Sequence, residues 1–145
     1  MRQFLQGWFV LLSVTALLAG CSRTPPGAPM AEQAPVRGKI TFADKTPLKG
    51  GMIFFTPTDA QVGDGTLRYE CADLVDANGN YTLGFNGDKA GAPPGEYKVW
   101  IQPRETNELK NSNSSKIPQK YREQGTTPLL VEVKDGENTF DFELK

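Results

Sequence analysis

The chain has no histidine and two cysteines, Cys21 and Cys71. Without histidine, Ser-His-Asp and Cys-His nucleophilic catalysis cannot be assembled within the chain. The commonest zinc ligand is missing too, and a spare cysteine does not replace it. No metal or other cofactor is expected. Neither sign of charge is in excess: 16 basic side chains face 17 acidic ones, mixed along the sequence. There is no basic stripe to mark a nucleic-acid partner and no acidic tail. Long apolar runs are also lacking, with a single exception at the start.

That exception is the apolar stretch from Phe4 to Leu18, broken by Gln6, Gly7, Ser13 and Thr15 and preceded by Arg2. It is too short and too interrupted for a membrane span of ~20 apolar residues. A basic start, a short apolar core and small residues at its end describe an export signal. The run closes in Leu18-Ala19-Gly20-Cys21. Ala19 and Gly20 leave room for a peptidase to cut before Cys21, whose thiol is a natural lipid acceptor. This tetrapeptide resembles the lipobox of bacterial lipoproteins. The resemblance implies cleavage between Gly20 and Cys21, acylation of Cys21 and a membrane-anchored protein facing away from the cytoplasm. Ser22, rather than Asp, follows the cysteine. If the cell has two membranes, that favours the outer one.

Cleavage leaves about 125 residues, enough for one domain. Residues 1–20 are read as the signal and 21–35 as a tether. Ser22 to Pro35 is dominated by proline, glycine and small residues and cannot form a core. With Cys21 lipidated, Cys71 has no disulfide partner in the mature chain. Its expected role is that of a small buried hydrophobe in a strand.

The domain is expected over 36–145. Val36, Gly38, Ile40 and Phe42 alternate with polar residues as one strand. Met52 to Pro57 is apolar at both parities, which predicts a central strand covered on both faces. Leu67–Val75 is a third strand, containing Cys71. Asp76-Ala77-Asn78-Gly79-Asn80 is a hairpin signal, and Tyr81, Leu83 and Phe85 alternate in the returning strand. Tyr97, Val99 and Ile101 face the core in the next, with Lys98, Trp100 and Gln102 on its other face. Tyr81 and Tyr97 are expected at sheet ends, rings buried and hydroxyls near water. Ile117 to Glu123 predicts one or two helical turns with Pro118 first. Leu129, Val131 and Val133 give the sixth strand. Asp135-Gly136 gives a turn, and Phe140, Phe142 and Leu144 give the last strand. Seven short strands separated by turns predict an all-β, seven-stranded antiparallel sandwich.

Val36-Arg37-Gly38-Lys39-Ile40, Pro47-Leu48-Lys49-Gly50-Gly51, Asp76 to Tyr81 and Pro94-Gly95-Glu96-Tyr97-Lys98-Val99 are similar to segments of carboxypeptidase regulatory-like domains. Ile117 to Tyr121 and Asn138 to Phe142 extend the likeness to small bacterial lipoproteins that carry this domain alone. The resemblance implies a transthyretin-like sandwich. It implies no activity, because its motifs are turn and core signatures. A purine-degrading hydrolase shares that fold but depends on histidines, which are absent here. The metallocarboxypeptidases that carry this domain keep their zinc in a different one.

Few residues suggest chemistry. Asp76, Asn78 and Gly79 could line a calcium loop, but they lack EF-hand spacing, and a hairpin turn explains them. Glu105 with Glu108, and Asp135 with Glu137, are carboxylate pairs in polar loops, where a solvated surface explains them better than glycoside hydrolysis. Trp100 is on the polar side of its strand. With Tyr69 or Tyr121 nearby it could stack on a sugar ring; otherwise a loop or sheet edge covers it. The expected function is a non-catalytic, lipid-anchored envelope domain with a structural or interaction role, binding envelope proteins or glycans. A carbohydrate-binding module using Trp100, Tyr69 and Tyr121 is the alternative.

Overall fold

A computed structural model of the chain describes residues 31–59, 67–84, 91–104 and 111–145. Gly20, Cys21, Phe85, Glu105 and Glu108 lie outside the described residues, and so do the signal and most of the tether. Among the described residues there are eight strands: β1 (Val36–Phe42), β2 (Met52–Pro57), β3 (Cys71–Leu74), β4 (Asn80–Thr82), β5 (Gly95–Gln102), β6 (Leu130–Val133), β7 (Asn138–Thr139) and β8 (Phe142–Leu144). They form two four-stranded sheets. One runs β3-β2-β5-β6, and the other has β1 flanked by β4 on one side and β7 and β8 on the other. The all-β sandwich is the architecture expected.

The core between the sheets comes from alternation. Ile53 and Phe55 of β2, Tyr97, Val99 and Ile101 of β5, and Val36 and Ile40 of β1 are all buried. Phe55 is the hub of the aromatic interior, with Tyr81, Tyr97, Phe140 and Phe142 at centroid distances of 6.1–6.3 Å. Cys71 is fully buried in β3, as a small apolar residue would be.

The structure departs from the sequence reading in particular places. β3-β2-β5-β6 is antiparallel throughout, but β1 pairs in parallel with β7 and β8. Alternation fixes which side a residue faces, whereas strand direction depends on which neighbour the chain returns to. The last strand is also split. The Asp141 carboxylate accepts the Lys39 N–H at 2.8 Å, where a main-chain carbonyl would otherwise serve. Phe140 carbonyl turns instead to the Tyr81 hydroxyl, which donates to it at 2.7 Å.

The turn at Asp76–Asn80 forms as expected, with Gly79 N–H donating to Asp76 carbonyl and Gly79 at φ +84°. The segments it joins pair with each other only at one isolated antiparallel bridge, Ala72–Gly84. β3 is zipped to β2 and β4 to β1, so the turn carries the chain from one sheet to the other. The Tyr97 hydroxyl is not near water: it donates to Pro93 carbonyl at 2.7 Å inside the fold, whereas the Tyr81 hydroxyl is only part-buried beside an open groove. The helical stretch is two 3₁₀ turns, Ser114–Lys116 and Gln119–Tyr121, with Pro118 as the extended cap between them. Residues 31–35 are already part of the fold. Ala34 is buried and exchanges two backbone hydrogen bonds with Ala92, and Ala31 N–H donates to Leu67 carbonyl at 3.2 Å.

Candidate functional site

The two sheets present unlike outer faces. On the β1 sheet, Arg37, Lys39, Asn80, Thr82, Thr139 and Asp141 are exposed, around an open groove of about 300 Å³. The Arg37 guanidinium pairs there with Glu137 at 2.7 Å. The carboxylate pair Asp135 and Glu137 is therefore exposed surface, with one member tied to an arginine. A second open groove, of about 360 Å³, is lined by Phe42, Asp44, Thr46, Asn113, Lys116 and Lys145. The Asp44 carboxyl lies below the usual carboxylate range, chiefly because the Thr46 hydroxyl donates to it.

The β3-β2-β5-β6 sheet is different. Its outward positions hold Met52, Phe54, Ala72, Leu74, Trp100 and Leu130, with Thr56, Glu96, Lys98, Gln102 and Glu132 among them. Leu74 is 45% exposed and Leu130 53%. The outer face of β2 is thus half-exposed rather than covered. At its centre Phe54 sits directly opposite Trp100 in the ladder, with rings stacked at 4.2 Å and 11° from parallel. Rings standing parallel on neighbouring strands turn their edges outward, and each hides one face of the other. The indole Nε1–H donates to Thr56 Oγ1 at 2.9 Å, and the Thr56 hydroxyl donates to the Glu70 carboxylate.

Trp100 is therefore half-buried on the outward face, but its predicted aromatic companions are elsewhere. Tyr69 packs against the interior core, and its hydroxyl accepts from the Gln33 amide. Tyr121 is buried, and its hydroxyl meets the main chain of Lys145. The trio named from sequence is not one site. Phe54, Leu74 and Leu130 are the companions that sequence reading missed. The signal for Phe54 was its register with Trp100, which only strand pairing reveals.

The candidate calcium loop is a turn. Asp76 Oδ1 accepts the N–H groups of Asn78 and Asn80, each at 2.8 Å, and Oδ2 accepts the Asn80 amide at 3.1 Å. Its oxygens are occupied by the turn's own donors. Among the described residues no group of three or more His, Cys, Asp or Glu could hold a metal, and no helix is long and apolar enough to cross a membrane.

No family model matches the chain, and no curated protein matches it in sequence. Two solved structures resemble it in shape. One is the major pilin subunit of Bacillus cereus, at 14% identity and TM-score 0.44; 81% of this chain covers 30% of that one. The other is a 9R-lipoxygenase from Cyanothece, at 16% identity and TM-score 0.40; 81% of this chain covers 17% of that one. The chain thus spans less than a third of either. At these values neither likeness bears on what this chain does.

Proposed function

We propose that the protein is a lipid-anchored, non-catalytic envelope domain with a structural or interaction role, related to the carboxypeptidase regulatory-like domains of bacterial lipoproteins. Cys21 is its anchor, residues 22–30 its tether and the sandwich its working part, facing away from the cytoplasm. The observation that carries the interaction role is the outer face of β3-β2-β5-β6, where a stacked aromatic pair and two exposed leucines share one surface. Contiguous exposed apolar surface of this kind marks contact sites.

A glycan-binding reading fares less well. Sugar stacking needs an open aromatic face, and Phe54 takes one face of Trp100 while Tyr69 and Tyr121 lie elsewhere.

The test is intact mass spectrometry of the protein from its native membrane, beside a Cys21→Ala variant. The expected mass is that of a chain starting at Cys21 with acyl groups added, lost in the variant. An unmodified chain cut at another bond would overturn the anchor. Retention of the protein on polysaccharide, lost in Trp100→Ala with the fold intact, would favour the glycan reading instead.

A further inference from the structure

We propose that the outer face of β3-β2-β5-β6 is a bilayer-contact surface, laid on the membrane to which Cys21 holds the chain. The proposal deepens the reading above and rests on its lipid anchor.

The first argument is where the tether enters. Ala31 N–H is bonded to Leu67 carbonyl. Leu67, itself 36% exposed, lies just ahead of β3, the edge strand of the apolar-faced sheet. Residues 22–30 are all that separate this point from Cys21. Fully extended, about ten residues reach ~35 Å. The sheet is itself ~20 Å along its strands. Its face is therefore within the linker's reach of the lipid.

The second argument is magnitude. A short link to an anchored residue gives a high effective concentration, so contact too weak to hold a free protein on a membrane suffices for a linked one. Its four strands, four to eight residues long, make a face of roughly 350 Å². A specific protein contact takes ~800 Å² per partner. A protein partner would have to reach beyond this face to make such a contact, whereas a bilayer sets no such minimum and needs no complementary shape.

The third argument is polar satisfaction. A group leaving water must keep a hydrogen-bond partner. In the centre of this face the chain Trp100 to Thr56 to Glu70 supplies one internally. Lys98 and Arg104 have apolar stems that can follow the face while their charges stay in water. Arg104 already lies over Met52, with Nη1 3.4 Å from its sulfur. Glu70, Glu96 and Glu132 outnumber these cations, so the contact is made by apolar side chains and not by attraction to anionic lipid. The polar outer face of the β1 sheet is then turned away from the membrane.

Trp100 reports on its own site. The other tryptophan, Trp8, lies in the signal, so the cleaved chain has one indole. The experiment uses the full acylated protein in phosphatidylcholine vesicles with bromine-labelled acyl chains. Mass spectrometry and vesicle flotation report the anchor separately. The expected result is a blue-shifted Trp100 emission, quenched severalfold by bromolipid and unchanged when phosphatidylglycerol is added. Leu74→Glu with Leu130→Glu, still acylated and with an unchanged thermal transition, should lose that quenching. Trp100 as open to aqueous acrylamide on vesicles as in water, with the anchor present, would overturn this proposal alone. Protection from acrylamide in native membranes without bromolipid quenching would overturn it in favour of a protein neighbour. A chain without acyl groups would overturn the anchor and this proposal together.

Discussion

Phe54 and Trp100 stack face to face across neighbouring strands of an otherwise open sheet surface, 4.2 Å between ring centroids. Such pairs contribute ~0.5–1.5 kcal/mol beyond the area they bury. A double-mutant cycle with Phe54→Ala and Trp100→Ala should return a coupling of that size in urea unfolding. Each single variant should stay folded, because neither ring belongs to the core between the sheets. A coupling of zero would mean that the rings are stacked without stabilising one another.

Gly38 makes room for the break between β7 and β8. A Cβ there would stand 1.8 Å from Phe140 oxygen and 2.8 Å from the Tyr81 hydroxyl. Those two atoms form the hydrogen bond that pins the split strand to the core. Gly38→Ala should therefore cost about 3 kcal/mol, at the upper end of overpacking effects. The clash is with main chain, which cannot rotate aside. Gly125→Ala is the control: a Cβ at Gly125 meets nothing within 4 Å. Chemical denaturation of the two variants should separate them clearly. Equal midpoints would show that β1 and the last strand can shift apart at little cost.

The inward residues of β1, β5 and β6 were readable from alternation alone, because a half-buried strand writes its period of two into the sequence. The bounds of β1 and β2 were readable too. The parallel pairing of the last strands was not, since Phe140, Phe142 and Leu144 would alternate identically in either direction. Nor was the separation of β3 from β4, because Asn78 and Gly79 specify a turn but not which strands it joins. The candidate surface was half-legible. Trp100 was identified on the outward face of its strand, but Phe54 was read as covered, because an apolar residue at an outward position looks the same in sequence whether covered or bare.

Tyr81 and Tyr97 tie the stability of the fold to alkaline pH. Burial pushes both phenols well above their ordinary range, with the Asp141 charge adding to the effect at Tyr81. Below pH ~10 both states keep these protons and stability is undiminished. Above it the unfolded chain releases them and the folded chain does not, so each tyrosine removes ~1.4 kcal/mol per pH unit. Urea midpoints should be flat from neutral pH to about 9 and then fall steeply. In Tyr97→Phe the plateau should drop by ~1 kcal/mol, because Pro93 carbonyl loses its donor. The alkaline fall should also become shallower. An unchanged alkaline slope in that variant would show that Tyr97 ionises without unfolding.

Asp76 sets the opposite limb. Partial burial raises its carboxyl, but the donors of Asn80, Asn78 and Gly79 outweigh that and leave it below the ordinary carboxylate range. A depressed carboxylate contributes stability that is present above its unfolded value of ~3.9 and is lost as pH falls through its folded value. The turn it holds is also where the chain changes sheets, so its hydrogen bonds support both β3 and β4. Asp76→Ala should cost about 1 kcal/mol at neutral pH, kept small because the carboxylate is open to water. The difference between variant and parent should shrink on acidification below pH ~4. A difference that persists unchanged to lower pH would assign the effect to the shape of the turn rather than to the charge of Asp76.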